Sequence, residues 1–332
     1  MKKILVIHTG GTFGMVPMEP DQVLAPGNLQ DELLNHIPEV NQIAEIDVQI
    51  VCNEDSSNLG ISAWNSLAEV IYSHMDKYDG FVIVHGTDTM VYSAAALSYS
   101  LINLQKPVIF TGAQLPLAKI RSDARLNFID ALEVATRQIN EVLIVFGQRI
   151  LRGNRSKKTS ISNYGAYYSP NYPLIGEIGL NLEIENSLLL RPSGKFIYDP
   201  GFEPSLLNIL IYPECDPVFY ESIVENKALR AIQIIGFGAG NLPERNKEWI
   251  RFIRKCVDNK KAVFINSSSA HGKINLDIYE SGHNVLKAGA VGCKNMTIEA
   301  TTVKIMKALH KYSELQDIYS YTLSNIAGEI DL

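Results

Sequence analysis

Short apolar runs that end in polar, glycine-bearing loops recur along the chain, and this recurrence limits the folds open to it. Residues 80–90 read GFVIVHGTDTM, in which the apolar run Phe81–Val84 ends in threonine and aspartate before a helical pattern begins. Runs of this kind are typical of parallel strands covered on both faces. Similar runs occur at 3–8, 107–110 and 142–146, with helical spacing between them. The alternation of strand and helix predicts a wound, mainly parallel sheet.

The alternation is interrupted once, and the interruption divides the chain. Between residues 148 and 206, clustered basic residues are followed by tyrosines, prolines and glycines, and the alternation resumes at Leu207. We therefore predict an α/β protein with a larger N-terminal domain built on the wound, mainly parallel sheet, a linker and a smaller C-terminal α/β domain. The predicted boundaries are 1–190, 191–206 and 207–332, and a length of 332 residues agrees with two domains.

Charge, hydropathy and cysteine usage exclude several classes of partner. The formal net charge is −6 and no long run of Lys or Arg occurs, which argues against nucleic-acid binding. No apolar stretch approaches the roughly 18 residues of a membrane span, and the apolar run in MKKILVIHTGG is too short for a secretory signal. The four cysteines form no C-x-x-C pair and have no histidine at zinc-ligand spacing. These features predict a cytoplasmic protein with reduced thiols, without a metal site and without nucleic-acid or membrane partners.

Four polar loops follow predicted strands: TGGTFGM, DSSN, HGTDTM and TGAQLP. Because the carboxyl ends of parallel strands meet at one edge of a sheet, these loops are expected to converge on a small polar ligand. In HGTDTM the plainer interpretation is that Asp88 or Thr89 caps a helix. His8 and His85 stand at strand ends, where buried structural histidines are more common than catalytic ones. The first loop lacks the glycine that a dinucleotide fingerprint needs at Thr9, so a nicotinamide cofactor is not expected.

These motifs, together with TGAQLPLAKIRSDARLN and RGNRSKK, resemble those of the bacterial-type L-asparaginases, most closely the cytosolic type I branch. The resemblance extends from the first strand to MTIEATTVK, and TGGT with HGTDTM at this separation is highly specific. It implies an amidohydrolase that converts L-asparagine to L-aspartate and ammonia through a threonine acyl-enzyme, without a metal or organic cofactor. It also implies self-association to a homodimer or homotetramer in which a neighbouring subunit completes the active site.

The resemblance assigns catalytic roles to four residues. The nucleophile falls on Thr12, and a second threonine, its carboxylate and a lysine fall on Thr87, Asp88 and Lys158. Lys157 is the neighbouring alternative for the lysine. A free threonine hydroxyl is a poor nucleophile, so it needs a neighbouring base, which Lys158 beside Asp88 would supply.

The resemblance also implies a set of substrate-binding groups. These are Asp55, Ser56, Ser57 and Asp88 at the α-amino and α-carboxylate groups, the carbonyl of Ala113 at the side-chain amide, and Asn241 contributed across a subunit interface. For Asn241, which follows GFGAG, the plainer interpretation is a turn with asparagine in left-handed geometry.

The chain departs from the family pattern in two places. Family members usually carry a tyrosine after the first strand that helps to activate the first threonine, whereas Phe13–Ile71 contains none, and Val23 or Leu24 lies nearest that place. Ser269 stands where type I enzymes with an effector site have a cysteine, so effector control of that form is not expected.

Two rival functions stay open. One is an asparagine-binding sensor without efficient turnover, an alternative that the missing tyrosine makes worth stating. The other is the asparaginase-like subunit of a tRNA amidotransferase, in which an extra amino-terminal domain would precede the first strand. This chain begins at the first strand, and its acidic balance does not favour RNA.

Overall fold

The computed structural model describes residues 1–11, 13, 15–18, 23–26, 37–243, 247–278 and 280–331. The chain divides into two compact units, Met1–Pro200 and Gly201–Leu332. The N-terminal unit contains a large, mostly parallel sheet and the C-terminal unit a smaller parallel one, which confirms the predicted fold class. Among the described residues, none of the helices combines the length and apolar character needed to cross a membrane.

The described strands and helices of the N-terminal unit follow the predicted alternation in its first 146 residues and become short after that. The strands are β1 Lys3–Gly10, β2 Met15–Met18, β3 Val23–Pro26, β4 Glu45–Glu54, β5 Gly80–Val84, β6 Leu101–Ile102, β7 Val108–Thr111, β8 Val142–Phe146, β9 Arg149–Arg152, β10 Lys157–Lys158, β11 Tyr167–Tyr168, β12 Gly176–Ile178, β13 Leu182–Ile184 and β14 Ile197–Tyr198. The helices are α1 Val40–Ile43, α2 Ile61–His74, α3 Met90–Ser100 and α4 Ala124–Ala135.

The large sheet aligns the carboxyl ends of its central strands. Its order is β13-β12-β9-β8-β7-β5-β1-β4, and the neighbours from β8 to β4 pair in parallel. His8 at the end of β1 lies opposite Ile50 of β4 and Val84 of β5. The loops that follow β1, β4, β5 and β7 therefore leave the sheet at the same edge.

Both faces of this sheet are covered, which explains why its strands read as nearly continuous apolar runs. Ile4 of β1 belongs to the apolar cluster that contains Phe128 of α4. Its neighbour Leu5 belongs to the cluster on the other face, which contains Leu67 of α2. Because successive side chains of a strand point to opposite faces, each residue of such a run packs against helices on one side or the other.

The C-terminal unit is built on a four-stranded parallel sheet of order β15-β16-β17-β18. Its strands are β15 Leu206–Leu210, β16 Ala231–Gly236, β17 Ala262–Ser267 and β18 Val291–Gly292. Its described helices are α5 Glu221–Val224, α6 Glu248–Asp258, α7 Glu280–Lys287, α8 Ile298–Lys311 and α9 Leu315–Leu323. The boundary between the units, after Pro200, falls inside the segment predicted as a linker.

One buried carboxyl group in α4 has no described partner for one of its oxygens. Asp130 is 3% exposed, and its Oδ2 accepts no hydrogen bond from the described residues. Burial raises the pKa of Asp130 from 3.8 to about 6, and the negative charge of Glu133 acts in the same direction. Between these two pH values Asp130 therefore stays mainly protonated in the folded state, whereas the unfolded chain releases the proton.

We expect Asp130→Asn to stabilise the N-terminal unit above pH 6. Below pH 4 the carboxyl group is protonated in both states, and stability falls as pH rises because the unfolded chain ionises first. A shift of two units corresponds to about 3 kcal/mol, so the variant should gain about 1–3 kcal/mol at pH 7.5 and lose this advantage near pH 4. Urea denaturation at both pH values measures the difference. Asp76→Asn, which neutralises an exposed carboxylate after α2, is the control, and an equal gain in both variants would contradict the prediction.

Candidate active site

A lysine, a threonine and an aspartate meet at the carboxyl edge of the large sheet. Thr87 and Asp88 lie between β5 and α3, and β10 brings Lys158 towards them. Lys158 Nζ donates to Thr87 Oγ1 at 2.8 Å and to Asp88 Oδ1 at 2.6 Å. The lysine side chain is 14% exposed and the aspartate 63%, so the carboxylate opens towards solvent. One cation thus contacts both a hydroxyl and a carboxylate.

The glycines of the first loop allow its backbone to approach the neighbouring loops closely. Gly10 and Gly11 have φ values of 109° and 83°, which favour glycine. A Cβ atom on Gly11 would lie 2.5 Å from the Cα of Gly86, and one on Gly10 would lie 2.2 Å from the carbonyl oxygen of Glu54. The first loop is therefore wedged between the ends of β4 and β5. Thr12 lies outside the described residues, as do the side chains of Val23 and Leu24.

The loop after β4 forms a short 3₁₀ turn, Ser56–Asn58, which contacts the Thr87–Asp88 segment through the Asp88 amide. Asp55 accepts a hydrogen bond from the Ser57 backbone amide at 2.8 Å. Hydrogen bonds from the Ser57 side chain and backbone lower the pKa of the Asp55 carboxyl group. Ser56 is buried, and its Oγ accepts from the Asp88 amide at 3.3 Å. Asp55, Ser56 and Ser57 thus lie beside the lysine-bound pair.

The loop after β7 is held by a carboxylate at the beginning of α4. Asp123 occupies the N-cap position but makes no side-chain cap hydrogen bond. It accepts instead from the backbone amides of Gln114 at 3.0 Å and Leu115 at 3.1 Å. The carbonyl of Ala113 accepts no hydrogen bond from the described residues, and the Gln114 side chain reaches Thr87 Oγ1 at 3.5 Å. This loop therefore brings the Gln114 side chain to Thr87, next in the chain to the Ala113 carbonyl.

A buried tyrosine supports the lysine and threonine. Tyr167 of β11 pairs with Lys158 of β10, and its hydroxyl donates to the Thr87 carbonyl. Its ring packs edge-on against that of Phe146, with the two ring centroids 5.0 Å apart. Burial raises the pKa of Tyr167 well above its usual value, and the charge of Asp88 acts in the same direction. The phenol therefore stays protonated and acts as a hydrogen-bond donor.

The strand-end histidines are buried and neutral at pH 7. Burial lowers the pKa of both His8 and His85 to about 4. His85 Nδ1 lies 2.7 Å from the Gly86 carbonyl oxygen. Within the described ranges, no three His, Cys, Asp or Glu side chains form a cluster that could hold a metal ion. The polar edge therefore consists of hydroxyls, carboxylates, a lysine and backbone groups.

Asn241 lies in the C-terminal unit, at the end of a tight turn. Its backbone pairs in both directions with Phe237, at 2.7 and 2.9 Å. The left-handed positions of this turn are Gly238 and Gly240, with φ values of 48° and 104°. The plainer interpretation of this segment is therefore right about the turn and wrong about left-handed geometry at Asn241, because the glycines supply the conformations that the turn needs.

Sequence reasoning missed two side chains of this site, Gln114 and Tyr167. Gln114 stands in the motif TGAQLP, so proximity to the predicted ligand could have indicated it. Tyr167 carries no such signal, because its contact depends on pairing between strands of two residues each.

Comparison with known proteins bears on what such a site does. The family described as "Asparaginase, N-terminal" matches residues 3–189, and "Glutaminase/Asparaginase C-terminal domain" matches residues 208–321. The chain belongs to the asparaginase family. This confirms the resemblance drawn from the motifs, and the two matches cover both units of the asparaginase-family chain.

Individual relatives match along nearly the whole chain. L-asparaginase 1 of Escherichia coli is 35% identical, with 99% of this chain and 98% of the relative covered. The crystal structure of L-asparaginase I from Vibrio cholerae superposes with a TM-score of 0.90 at 32% identity and covers 100% of this chain and 99% of that one. A subunit of the glutamyl-tRNA(Gln) amidotransferase of Pyrococcus abyssi is 31% identical over 99% of this chain and 77% of the relative.

Proposed function

We propose that this chain is an L-asparaginase, which hydrolyses L-asparagine to L-aspartate and ammonia through a threonine acyl-enzyme. The observation that carries the proposal is the contact of Lys158 Nζ with both Thr87 Oγ1 and Asp88 Oδ1. Two hydroxyl-bearing loops and a lysine amine beside a carboxylate form a proton-transfer group suited to amide hydrolysis. Family membership, with L-asparaginase 1 among its relatives, supports the same reaction.

Thr12 is the proposed nucleophile, and Thr87, Lys158 and Asp88 move the protons. The Thr12 oxygen bonds to the amide carbon, the C–N bond breaks, and the hydroxyl proton leaves with the nitrogen as ammonia. Water then adds to the ester carbon, its proton returns to the Thr12 oxygen, and L-aspartate is released. Backbone amides of the wedged glycine turn would stabilise the oxyanion in each step.

The loops around this trio supply the proposed substrate contacts. Asp55 and Asp88 would bind the α-amino group, and Ser56 and Ser57 the α-carboxylate. The carbonyl of Ala113, which accepts no hydrogen bond from the described residues, would accept one from the substrate amide. Asn241 would reach the site of a neighbouring copy.

An ammonia assay on the purified chain tests the proposal. We expect stoichiometric ammonia and L-aspartate from L-asparagine without any RNA. Parallel reactions with L-glutamine give the preference between the two amides. A plot of rate against concentration is expected to be hyperbolic, because Ser269 replaces the effector-site cysteine.

Two outcomes would replace the proposal with a rival function. L-asparagine that raises the melting temperature but persists unchanged in solution would indicate a sensor. Release of ammonia only when a charged tRNA is present would indicate an amidotransferase component, as in the Pyrococcus abyssi relative.

The remaining proposals concern where the enzyme acts, how it assembles and where its domains begin and end. We propose that the chain acts in the cytoplasm as a homodimer or homotetramer. The catalytic domain is proposed to span 1–190, with a linker over 191–206 and the smaller domain over 207–332. Size-exclusion chromatography with light scattering distinguishes the two assemblies.

A further inference from the structure

A threonine hydroxyl forms the shorter of two hydrogen bonds between the loop that carries Thr87 and the loop that carries Ser56. Thr89 Oγ1 donates to the Ser56 carbonyl at 2.6 Å. The Asp88 amide donates to Ser56 Oγ at 3.3 Å beside it. Gly86 packs so closely that an added Cβ atom would lie 2.7 Å from the Ser56 Cβ. Thr89 therefore supplies a short side-chain bond across a tightly packed contact.

The Thr89 hydroxyl does not cap α3, although Thr89 lies at the beginning of that helix. Thr89 occupies the N-cap position of α3, but its ψ is 10° and its side chain makes no cap hydrogen bond. A capping threonine has an extended backbone, which lets its oxygen accept from the second or third helical amide. Here it is the Thr89 backbone carbonyl that bonds to the helix, by accepting from the amides of Tyr92 and Ser93. The plainer interpretation of Thr89 as a helix cap is therefore wrong for its side chain.

The Ser56 hydroxyl can act as a donor as well as an acceptor. The Ser56 carbonyl accepts both from Thr89 and from the Leu59 amide, which closes the 3₁₀ turn at 3.1 Å. Ser56 Oγ accepts from the Asp88 amide, so its own proton can point to an acceptor beyond the protein. A substrate carboxylate is such an acceptor.

We propose that Thr89 is a positioning residue that holds Ser56 and Ser57 at the α-carboxylate of the substrate. The inference rests on the proposed function, because it takes L-asparagine as the ligand. Thr89 does not touch the reacting atoms; it sets the distance between the carboxylate-binding turn and the Thr87–Asp88 pair.

Thr89→Val and Thr89→Ser test the inference as a pair. Valine keeps the shape and removes the donor, whereas serine keeps the donor. For Thr89→Val we expect the KM for L-asparagine to rise about tenfold and kcat to change less than about threefold, since ground-state and transition-state binding weaken together. Thr89→Ser should restore KM to within about twofold of the parent. Calorimetric binding of L-aspartate, which has the same α-carboxylate, should weaken in parallel with KM.

Thr136→Val is the matched control. Its hydroxyl also donates to a backbone carbonyl, that of Glu133 at 2.7 Å, but at the end of α4. A loss of kcat without a rise in KM, or an equal effect of the valine and serine variants, would overturn the role of Thr89. If Thr89→Val does not fold, Thr89→Ala supplies a second hydroxyl-free side chain for the same comparison. Failure of the parent protein to release ammonia would overturn the proposed function instead.

Discussion

We expect Lys158→Met to lose nearly all ammonia release from L-asparagine while the chain stays folded. Methionine is an unbranched side chain one atom shorter, and it cannot donate to Thr87 Oγ1 or Asp88 Oδ1, which the lysine contacts at 2.8 and 2.6 Å. Loss of a positioned proton-transfer group lowers kcat by about 10²–10⁴-fold. Because the Asp88 side chain is 63% exposed, the lost ion pair should change the free energy of unfolding by less than about 1 kcal/mol.

Lys157→Met is the matched control, because it removes the same charge from the adjacent residue of β10. Successive side chains of a strand point to opposite faces, so the Lys157 side chain should point away from Thr87 and Asp88, which Lys158 contacts. Its kcat should stay within about threefold of the parent. Thr12→Ala should match Lys158→Met. Activity lost in Lys157→Met and kept in Lys158→Met would transfer the role to the neighbouring lysine.

The sequence predicts the part of the site that the sheet itself builds. Apolar runs reveal the strands, and parallel pairing then requires the loops after β1, β4, β5 and β7 to leave at one edge. Ser56, Thr87 and Asp88 could be brought together by this argument alone. The placement of Lys158 came only from the family resemblance, because β10 and β11 each have two residues and two residues carry no periodicity.

Some side chains can either cap a helix or bind a neighbouring loop, and the sequence alone does not decide between these two roles. Asp123 and Thr89 both stand where a helix cap is expected, and both are used to fasten loops instead. The preference of a residue type for the N-cap position says nothing of a carbonyl or amide brought near it by another loop. Tertiary contacts therefore redirect these groups without changing where the helices begin.

A buried ion pair between β9 and the beginning of β8 also contacts the segment that follows β13. Arg152 of β9 and Glu141 are 2% and 3% exposed. The guanidinium donates through Nε to Glu141 Oε2 at 2.6 Å and through Nη2 to the Leu188 carbonyl at 2.6 Å. Glu141 Oε1 also accepts from the Leu190 amide at 2.9 Å. Both charges are thus paired and hydrogen-bonded away from water.

Glu141→Ala should lower the free energy of unfolding of the N-terminal unit by about 3–5 kcal/mol. Removing one partner of a buried pair leaves the other charge desolvated without compensation, and this costs more than the pair itself contributes. The double variant Glu141→Leu with Arg152→Met should recover much of that loss, because neither charge then remains buried. The Leu190 amide would still lose its acceptor, so recovery should be incomplete.

Tryptophan fluorescence can follow this unit by itself, because one of the two tryptophans lies in each unit. In a Trp249→Phe background, the emission of Trp64, which is buried beside Ser93, reports unfolding of the N-terminal unit in urea. Glu133→Ala is the control, since its 2.7 Å pair with Arg137 is exposed and should contribute at most about 0.5 kcal/mol. Equal losses in the two single variants would mean that burial does not set the cost. If the double variant is no more stable than Glu141→Ala, the unpaired Arg152 charge is not the source of the stability loss in Glu141→Ala.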